Sequence, residues 1–145
     1  MTLAAGTELG PSPWFTIEQA RIDAFEDFHV EMEEVIHADE VVLSEDPYVP
    51  VSLGRTPLVL DAWALLRLGR EHPEWTEDLA RRIESREFDK IVLVYPITFR
   101  AWYSELHFGD TIASAIRRSY ELDREADGYH VYIPGQPSID QGQVG

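Results

Sequence analysis

Residues 41–61 read VVLSEDPYVPVSLGRTPLVLD, and this stretch decides the fold class that we predict. It holds two short aliphatic runs, VVL and LVL, which predict strands at about 40–43 and 57–60; a loop containing proline and glycine separates them, and each is followed by acids. The helical pattern AWALLRLG comes next, and a third apolar run, IVLVY, ends at residue 95. Strands that alternate with helices are typical of parallel sheets. We therefore predict a small α/β domain with a short, mostly parallel sheet flanked by helices.

Apolar spacing and capping residues predict four helices around these strands. Thr16 and Gln19 have the spacing of a capping box, and apolar residues recur every three or four positions after them. Gly69 suits the end of a short helix, since glycine adopts the left-handed conformation found there. The expected boundaries are Thr16 to His37, Asp61 to Gly69, a helix opening at Thr76, and one capped by Asp110.

The C-terminal part of the chain predicts an antiparallel hairpin. Residues 120–124 and 129–133 are strand-like and flank Asp127-Gly128, a dipeptide that favours tight hairpin turns. The tail after residue 134 has a low apolar content, which favours disorder. We expect an irregular segment at 1–15, a single α/β domain at 16–134, and a disordered tail at 135–145.

Composition excludes several classes of function. Twelve Lys and Arg against 27 Asp and Glu give a net charge of −15, so binding to nucleic acid, which needs a basic surface, is not expected. The chain has no cysteine, which excludes disulfides and thiolate chemistry. No apolar run approaches the roughly 18 residues of a membrane span, and the N-terminus lacks a secretory signal. The isolated chain is expected to be soluble and cytoplasmic.

The first candidate site follows the first predicted strand. Ser44, Glu45 and Asp46 lie where open α/β sheets place their ligand-contacting loops. Their carboxylates suit a divalent ion or sugar hydroxyls, and the alternative is a solvated turn in which they cap backbone amides. Arg55 is one of two cations in the first sixty residues. It suits a phosphate, and the alternative is an ion pair with a neighbouring acid.

A second candidate lies in AWYSELHFGD, between the third predicted strand and the last helix. Aromatic rings beside carboxylates and a histidine are typical of carbohydrate-contacting loops, which makes Trp102 and His107 candidates. The alternative is a loop that packs over a sheet edge. His29, Glu33 and His37 share one helix face, but a polar surface is the simpler interpretation, so no metal site is predicted. No nucleotide-cradling motif is present, and no cofactor is expected.

Residues 32–134 resemble the soluble C-terminal domain of bacterial membrane-embedded glycosyltransferases of the GT-C type. The segments that carry the resemblance are VVLSEDPYVPVSLGRTPLVLDAWALL, REFDKIVLV, WYSELHFGD and YHVYIP. That family uses lipid-phosphate sugar donors, and its catalytic carboxylates lie in loops between membrane helices. The resemblance therefore implies a non-catalytic accessory or substrate-contacting domain, a membrane-embedded partner, and an extracytoplasmic position within the parent enzyme. Contacts with sugar or lipid-phosphate groups would fall to Ser44, Glu45, Asp46, Arg55, Trp102 and His107.

Residues 6–27, GTELGPSPWFTIEQARIDAFED, are similar to the opening of MaoC-like hotdog acyl dehydratases. In that family a catalytic Asp precedes a His by five positions, whereas here Glu31 precedes His37 by six. The resemblance implies an alternative function, a degenerate enoyl-CoA hydratase with His37 as general base and Glu31 in place of the Asp.

The two resemblances meet near residue 30, which suggests a chimera of a dehydratase-like start and a glycosyltransferase domain. A third interpretation is an interaction domain whose acidic first helix docks a basic partner, with affinity that falls steeply as salt rises.

Overall fold

The computed structural model describes residues 13–136, with side chains from residue 16 onward. Of the disordered tail predicted at 135–145, only residues 135 and 136 are described, and the amide of Gly135 donates to the carbonyl of Ser119. Of the irregular segment predicted at 1–15, residues 13–15 are described and belong to the first helix, so the prediction is wrong there. The helices are α1 (Pro13–Val35), α2 (Tyr48–Ser52), α3 (Ala62–Glu71), α4 (Pro73–Glu84) and α5 (Asp110–Ser119), with a π-helical turn at Ala101–Leu106. The strands are β1 (Val42–Ser44), β2 (Lys90–Leu93), β3 (Tyr120–Ala126) and β4 (Tyr129–Pro134).

The predicted α/β class is confirmed, but the sheet is mostly antiparallel and not mostly parallel. Its strand order is β1-β2-β4-β3, and β1 and β2 form its one parallel pair among the described residues. The strand predicted at 57–60 does not form. Leu58 and Leu60 are exposed there and Val59 alone is buried, so the segment is a turn that leads into α3. β2 pairs with β1 on one side and with β4 on the other, so both of its edges are occupied.

One face of the sheet is covered by the C-terminal part of α1 and by α2. Phe28, Met32 and Val35 of α1 pack with Val92 of β2 and Val131 of β4. These strand residues point to this face because side chains alternate along a strand. Burial of this cluster holds α1 against the sheet.

The other face carries the larger apolar cluster, which α3, α4 and α5 cover. Leu43, Ile91 and Leu93 point to this face from the parallel pair, where Ile83 of α4 and Ile116 of α5 are fully buried. Helices on both faces explain why IVL in β2 is buried without alternation.

Helix boundaries follow the capping signals in part. Asp61 caps α3 as predicted, because its Oδ1 accepts hydrogen bonds from the amides of Trp63 and Ala64 at 2.9 and 3.0 Å. Thr16 lies inside α1 and does not begin it, Thr76 lies in the first turn of α4, and Asp110 follows the N-cap residue Gly109. Gly69 does not end α3, which continues to Glu71.

The predicted hairpin is confirmed as β3 and β4. Asp127 and Gly128 have φ of 46° and 82°, the left-handed values that a two-residue turn of this kind requires. The ladder has an irregularity between Leu122 and Arg124. Among residues 13–136, no helix is both long enough and apolar enough to cross a bilayer.

Candidate functional site

The candidate site is built around the buried carboxylate of Glu45, which is 4% exposed. Its Oε1 accepts hydrogen bonds from Trp102 Nε1 at 2.8 Å and from His107 Nδ1 at 2.6 Å. Its Oε2 accepts from the amide of Val94 at 2.9 Å and from the hydroxyl of Tyr103 at 2.7 Å. Four donors thus surround one carboxylate, and such compensation is what allows an ionised group to be buried.

Glu45 and Val94 immediately follow the parallel strands β1 and β2, and this geometry brings them together. The amide of Glu45 donates to the carbonyl of Val92 at 2.9 Å, which extends the parallel pairing by one residue. The two strand ends form the carboxyl edge of the parallel pair, where α/β folds bind ligands. Glu45, which the sequence predicted as a ligand contact after the first strand, therefore lies at this edge.

The π-helical turn at Ala101–Leu106 supplies Trp102 and Tyr103, and His107 is the residue that follows it. Turns of this type are rare and are frequent at functional sites. The chain leaves the turn through Phe108 and Gly109, with φ of 63° and 88°. A positive φ is unfavourable for a bulky residue such as Phe108, and complete burial of its ring holds it there. This conformation turns the chain sharply between His107 and α5.

Tyr103 is a neutral donor at this site. Burial raises the pKa of its hydroxyl well above the usual value, and the negative charge of Glu45 raises that pKa further. The hydroxyl also accepts a hydrogen bond from the amide of Tyr95 at 3.0 Å. Through its hydroxyl, Tyr103 of the π-helical turn therefore contacts both Glu45 and the segment that follows β2.

His107 is the partly exposed member of the group, with a side chain that is 25% exposed. Because Glu45 accepts hydrogen bonds, Nδ1 is the ring atom that donates, and in the neutral imidazole Nε2 is left as an acceptor. The ring also packs against Trp102, with 4.3 Å between centroids. Glu45 and Trp102 together set the orientation and the tautomer of His107.

A shallow depression of about 230 Å³ opens beside this group. Its lining includes His107 and Glu45 from the buried group, Asp46, and Leu60 and Asp61 from the turn before α3. The lining residues thus include three carboxylates and one imidazole, although most of the surface that the depression exposes is apolar. The carboxylates disfavour an anionic ligand.

Exposed aromatic rings lie on the far side of Trp102, which packs against His107 at the depression. Tyr95 and Phe99 are 40% and 46% exposed, and both contact Trp102, with centroid distances of 5.0 and 6.4 Å. Tyr95 also meets Phe99 edge to face at 5.4 Å. We call Tyr95, Phe99 and Trp102 the aromatic platform. Two of its three rings are available to a ligand over much of their surface.

Ser44 and Asp46 have structural partners. The hydroxyl of Ser44 is buried and donates to the carbonyl of Asp46 at 2.7 Å. Asp46 accepts from the amide of Tyr48 at 2.9 Å and from the hydroxyl of Tyr129 at 2.7 Å, and burial, followed by the Asp46 charge, raises the pKa of that phenol. Asp46 thus has the capping role that the sequence left open as an alternative, although it also lines the depression.

Arg55 is not brought to this group. It donates from Nη1 and Nη2 to the carbonyl oxygens of Glu40 and His37, which binds the loop after α2 to the end of α1. Arg55, the one cation among the residues predicted to contact sugar or phosphate, is therefore engaged in holding two loops of the fold together.

The residues of the alternative hydratase pair have separate partners. Glu31 accepts a hydrogen bond from the amide of Asp127 at 2.9 Å, whereas His37 lies with Arg55 in another surface depression. His29 pairs with Glu33 at 3.1 Å. Within the described part of the chain, no three His, Cys, Asp or Glu side chains are grouped as they would be to hold a metal ion.

Sequence reasoning missed Tyr95, Phe99, Tyr103 and Asp61 as parts of this site. A signal was present, because Tyr95, Phe99 and Trp102 are spaced by four and three residues, as they would be on one face of a helical turn. Asp61 was assigned to capping alone, which is correct for its Oδ1.

Comparison of the chain with models of protein families, with curated proteins and with solved structures finds no match.

Proposed function

We propose that this chain is a non-catalytic accessory domain that contacts the sugar part of a substrate, as the resemblance of residues 32–134 to a glycosyltransferase domain also implies. The observation that carries the proposal is the aromatic platform beside the depression that His107 and Asp61 line. In the glycosyltransferase setting, a membrane-embedded partner would supply the catalysis.

The chemistry of the surface suits a sugar ring. A sugar presents C–H groups on its faces and hydroxyls around its edge, so it needs an aromatic surface next to polar acceptors. Tyr95 and Phe99 supply exposed rings, Asp61 supplies a carboxylate, and His107 supplies a ring nitrogen that can hydrogen-bond to a hydroxyl group. A few convergent polar groups beside apolar surface are typical of small-ligand sites.

The charge of the depression favours the sugar over the phosphate of a lipid-phosphate donor. Glu45, Asp46 and Asp61 all line it, and no Lys or Arg does. Bringing a phosphate next to these carboxylates costs Coulomb energy.

The same contacts argue for a binding role and against catalysis. Both oxygens of Glu45 accept two hydrogen bonds each, so its lone pairs are not free to take a proton from a substrate. The hydroxyl of Ser44 is buried and engaged with Asp46. Glu45 is thus a positioning residue that acts through His107.

Titration of ¹⁵N-labelled protein with N-acetylglucosamine and with mannose tests the proposal. Monosaccharides bind weakly, so concentrations up to about 20 mM are appropriate to a millimolar Kd. We expect amide shifts confined to residues 94–110 and 60–62. Phe99→Ala and His107→Gln should each weaken binding by at least about fivefold.

Trp75→Ala is the matched control, since Trp75 is an exposed ring on α4 that stacks on His72 and lies outside the aromatic platform. It should leave the titration unchanged. The proposal is wrong if neither sugar shifts these amides, or if Trp75→Ala weakens binding as much as Phe99→Ala does.

A further inference from the structure

The N-terminal half of α1 is exposed on the surface of the domain. Every residue from 16 to 27 is exposed, and burial begins only at Phe28. These residues span about 18 Å of helix. A helical segment this short is only marginally stable in water unless one of its faces is packed. The exposed half of α1 is therefore a surface that would gain from being covered.

The apolar stripe that anchors α1 continues onto this exposed half. Phe28, Met32 and Val35 pack on the sheet. At spacings of three and four residues, the same stripe runs back through Ala24 and Ala20 to Ile17, which is 54% exposed. One helix face is thus buried over its second half and uncovered over its first.

A groove lies where the exposed half meets the body of the domain. It has a volume of about 390 Å³, its walls are mainly the rings of Phe25, Phe28, Tyr48 and Tyr129, and its other lining residues are Arg21, Ala24 and Asp127. Tyr48 lies 5.9 Å from Phe25 and 5.0 Å from Phe28 between ring centroids, and Tyr129 lies 5.8 Å from Phe28. We call this surface, together with the uncovered stripe, the α1 groove. It can accept an apolar side chain against aromatic walls.

Acidic residues outnumber basic ones on α1 beside the groove. Arg21, the one Lys or Arg of α1 within residues 16–35, itself lines the groove. The carboxylates in the same span are Glu18, Asp23, Glu26, Asp27, Glu31, Glu33 and Glu34. By helical geometry, Glu18 and Asp27 flank the apolar stripe on opposite sides. Asp127 adds a carboxylate on the far wall of the groove.

We propose that the α1 groove docks a basic amphipathic helix of another protein. An apolar side chain of that helix enters between Phe25 and Tyr48, and its Lys or Arg residues face Glu18 and Asp27. Amphipathic helices that lay an apolar face into a groove are a common mode of recognition. Complementary charge adds specificity and speeds association.

A second copy of this chain is a poorer occupant. Pairing two α1 helices would place two strongly acidic surfaces together, in molecules that each carry a net charge of −15. The groove is also separate from the aromatic platform, so this inference and the proposed sugar contact can fail independently.

The test is calorimetric titration with a synthetic amphipathic helix of Leu and Lys, at about 50 mM and about 300 mM NaCl. We expect binding at low salt that weakens markedly at high salt. Ile17→Ser with Phe25→Ser, and separately Glu18→Lys with Asp27→Lys, should each weaken binding by about tenfold or more. All four side chains are exposed, so both variants should keep the circular dichroism of the parent.

Matched controls come from exposed positions elsewhere in the fold. Leu68→Ser with Leu122→Ser removes the same kind of apolar surface, and Glu105→Lys with Glu121→Lys makes the same change in charge. Both controls should bind as the parent does.

Equal loss of binding in either control would overturn the proposal. Binding would then depend on total apolar surface or on net charge, and not on the α1 groove. Sedimentation of the protein by itself provides a second test. A dimer that Ile17→Ser with Phe25→Ser dissociates would make a second copy the occupant and would also overturn the proposal.

Discussion

At the scale of single residues, Glu45 is the most consequential side chain of the site. Burying a carboxylate without partners is strongly unfavourable, and here Trp102, Tyr103, His107 and the amide of Val94 all compensate for its lost hydration. Those donors come from the residue after β2, from the π-helical turn and from His107 just beyond that turn, so Glu45 joins the ends of β1 and β2 to this turn. Removing its charge should therefore affect both the stability of the domain and the orientation of His107.

We expect Glu45→Gln to lower the free energy of unfolding by about 3 kcal/mol, because the amide nitrogen would face two donors and leave them unsatisfied. Urea unfolding followed by Trp fluorescence measures the change. Glu105→Gln is the control, since Glu105 is an exposed carboxylate on the π-helical turn. It should change the free energy of unfolding by no more than about 0.5 kcal/mol. A loss below about 1 kcal/mol for Glu45→Gln would contradict this account of the site.

At the scale of elements, the contact between α3 and α4 depends on Gly69. A Cβ at this position would lie 2.3 Å from Cγ2 of Thr76, closer than carbon atoms can approach. Thr76 cannot easily rotate away, because its Oγ1 donates to the carbonyl of Pro73 and its side chain is branched at Cβ. Gly69 is therefore retained inside a helix because it permits close packing, although glycine lowers helix propensity.

Gly69→Ala should destabilise the domain by about 1–3 kcal/mol through overpacking. Combining it with Thr76→Ser removes the clashing methyl and keeps the hydroxyl. In that background, Gly69→Ala should be neutral or stabilising by up to about 1 kcal/mol, because alanine favours the helix. The difference between the two effects is the coupling energy of a double-mutant cycle, measured by urea unfolding. Equal effects in both backgrounds would show that the methyl contact is not the reason for Gly69.

At the scale of the whole molecule, charge opposes compaction. The net charge of −15 is concentrated in residues 1–60, which hold two basic residues and twelve acids. Most of the ion pairs in the described part of the chain involve an exposed partner, such as Arg81 with Asp78, and such pairs contribute little. Self-repulsion of the folded state should therefore exceed the stabilisation that these pairs provide.

Raising NaCl from about 50 mM to about 500 mM should increase the free energy of unfolding by about 1 kcal/mol, since salt screens repulsion between exposed charges. The measurement is urea unfolding at each salt concentration. Replacing Glu18, Glu26 and Glu34, three exposed carboxylates of α1, with Gln should reduce this salt response. A free energy of unfolding that instead falls as salt rises would show that attractive ion pairs outweigh self-repulsion.

The sequence alone determined the features that short-range chemistry specifies. Asp-Gly at 127–128 favours the turn of the β3–β4 hairpin through left-handed φ values, and Asp61 caps α3 through amides two and three residues on. The α/β class followed from apolar periodicity, which reflects burial within a strand or helix. Glu45, Trp102 and His107 were identified as candidates one by one because of their residue types and their position after a strand.

Tertiary structure alone decided which of these residues meet and which strands pair. Glu45 is separated from Trp102 by 57 positions and from His107 by 62, and nothing local in the chain indicates that one carboxylate joins them. Likewise, nothing near Arg55 in the sequence indicates that it binds carbonyl oxygens of the α1–β1 loop. Residues 57–60 have the sequence of a strand, but they pair with no strand of the sheet. Pattern and propensity act over a few residues, whereas strand pairing and the burial of a charge depend on contacts between distant parts of the chain.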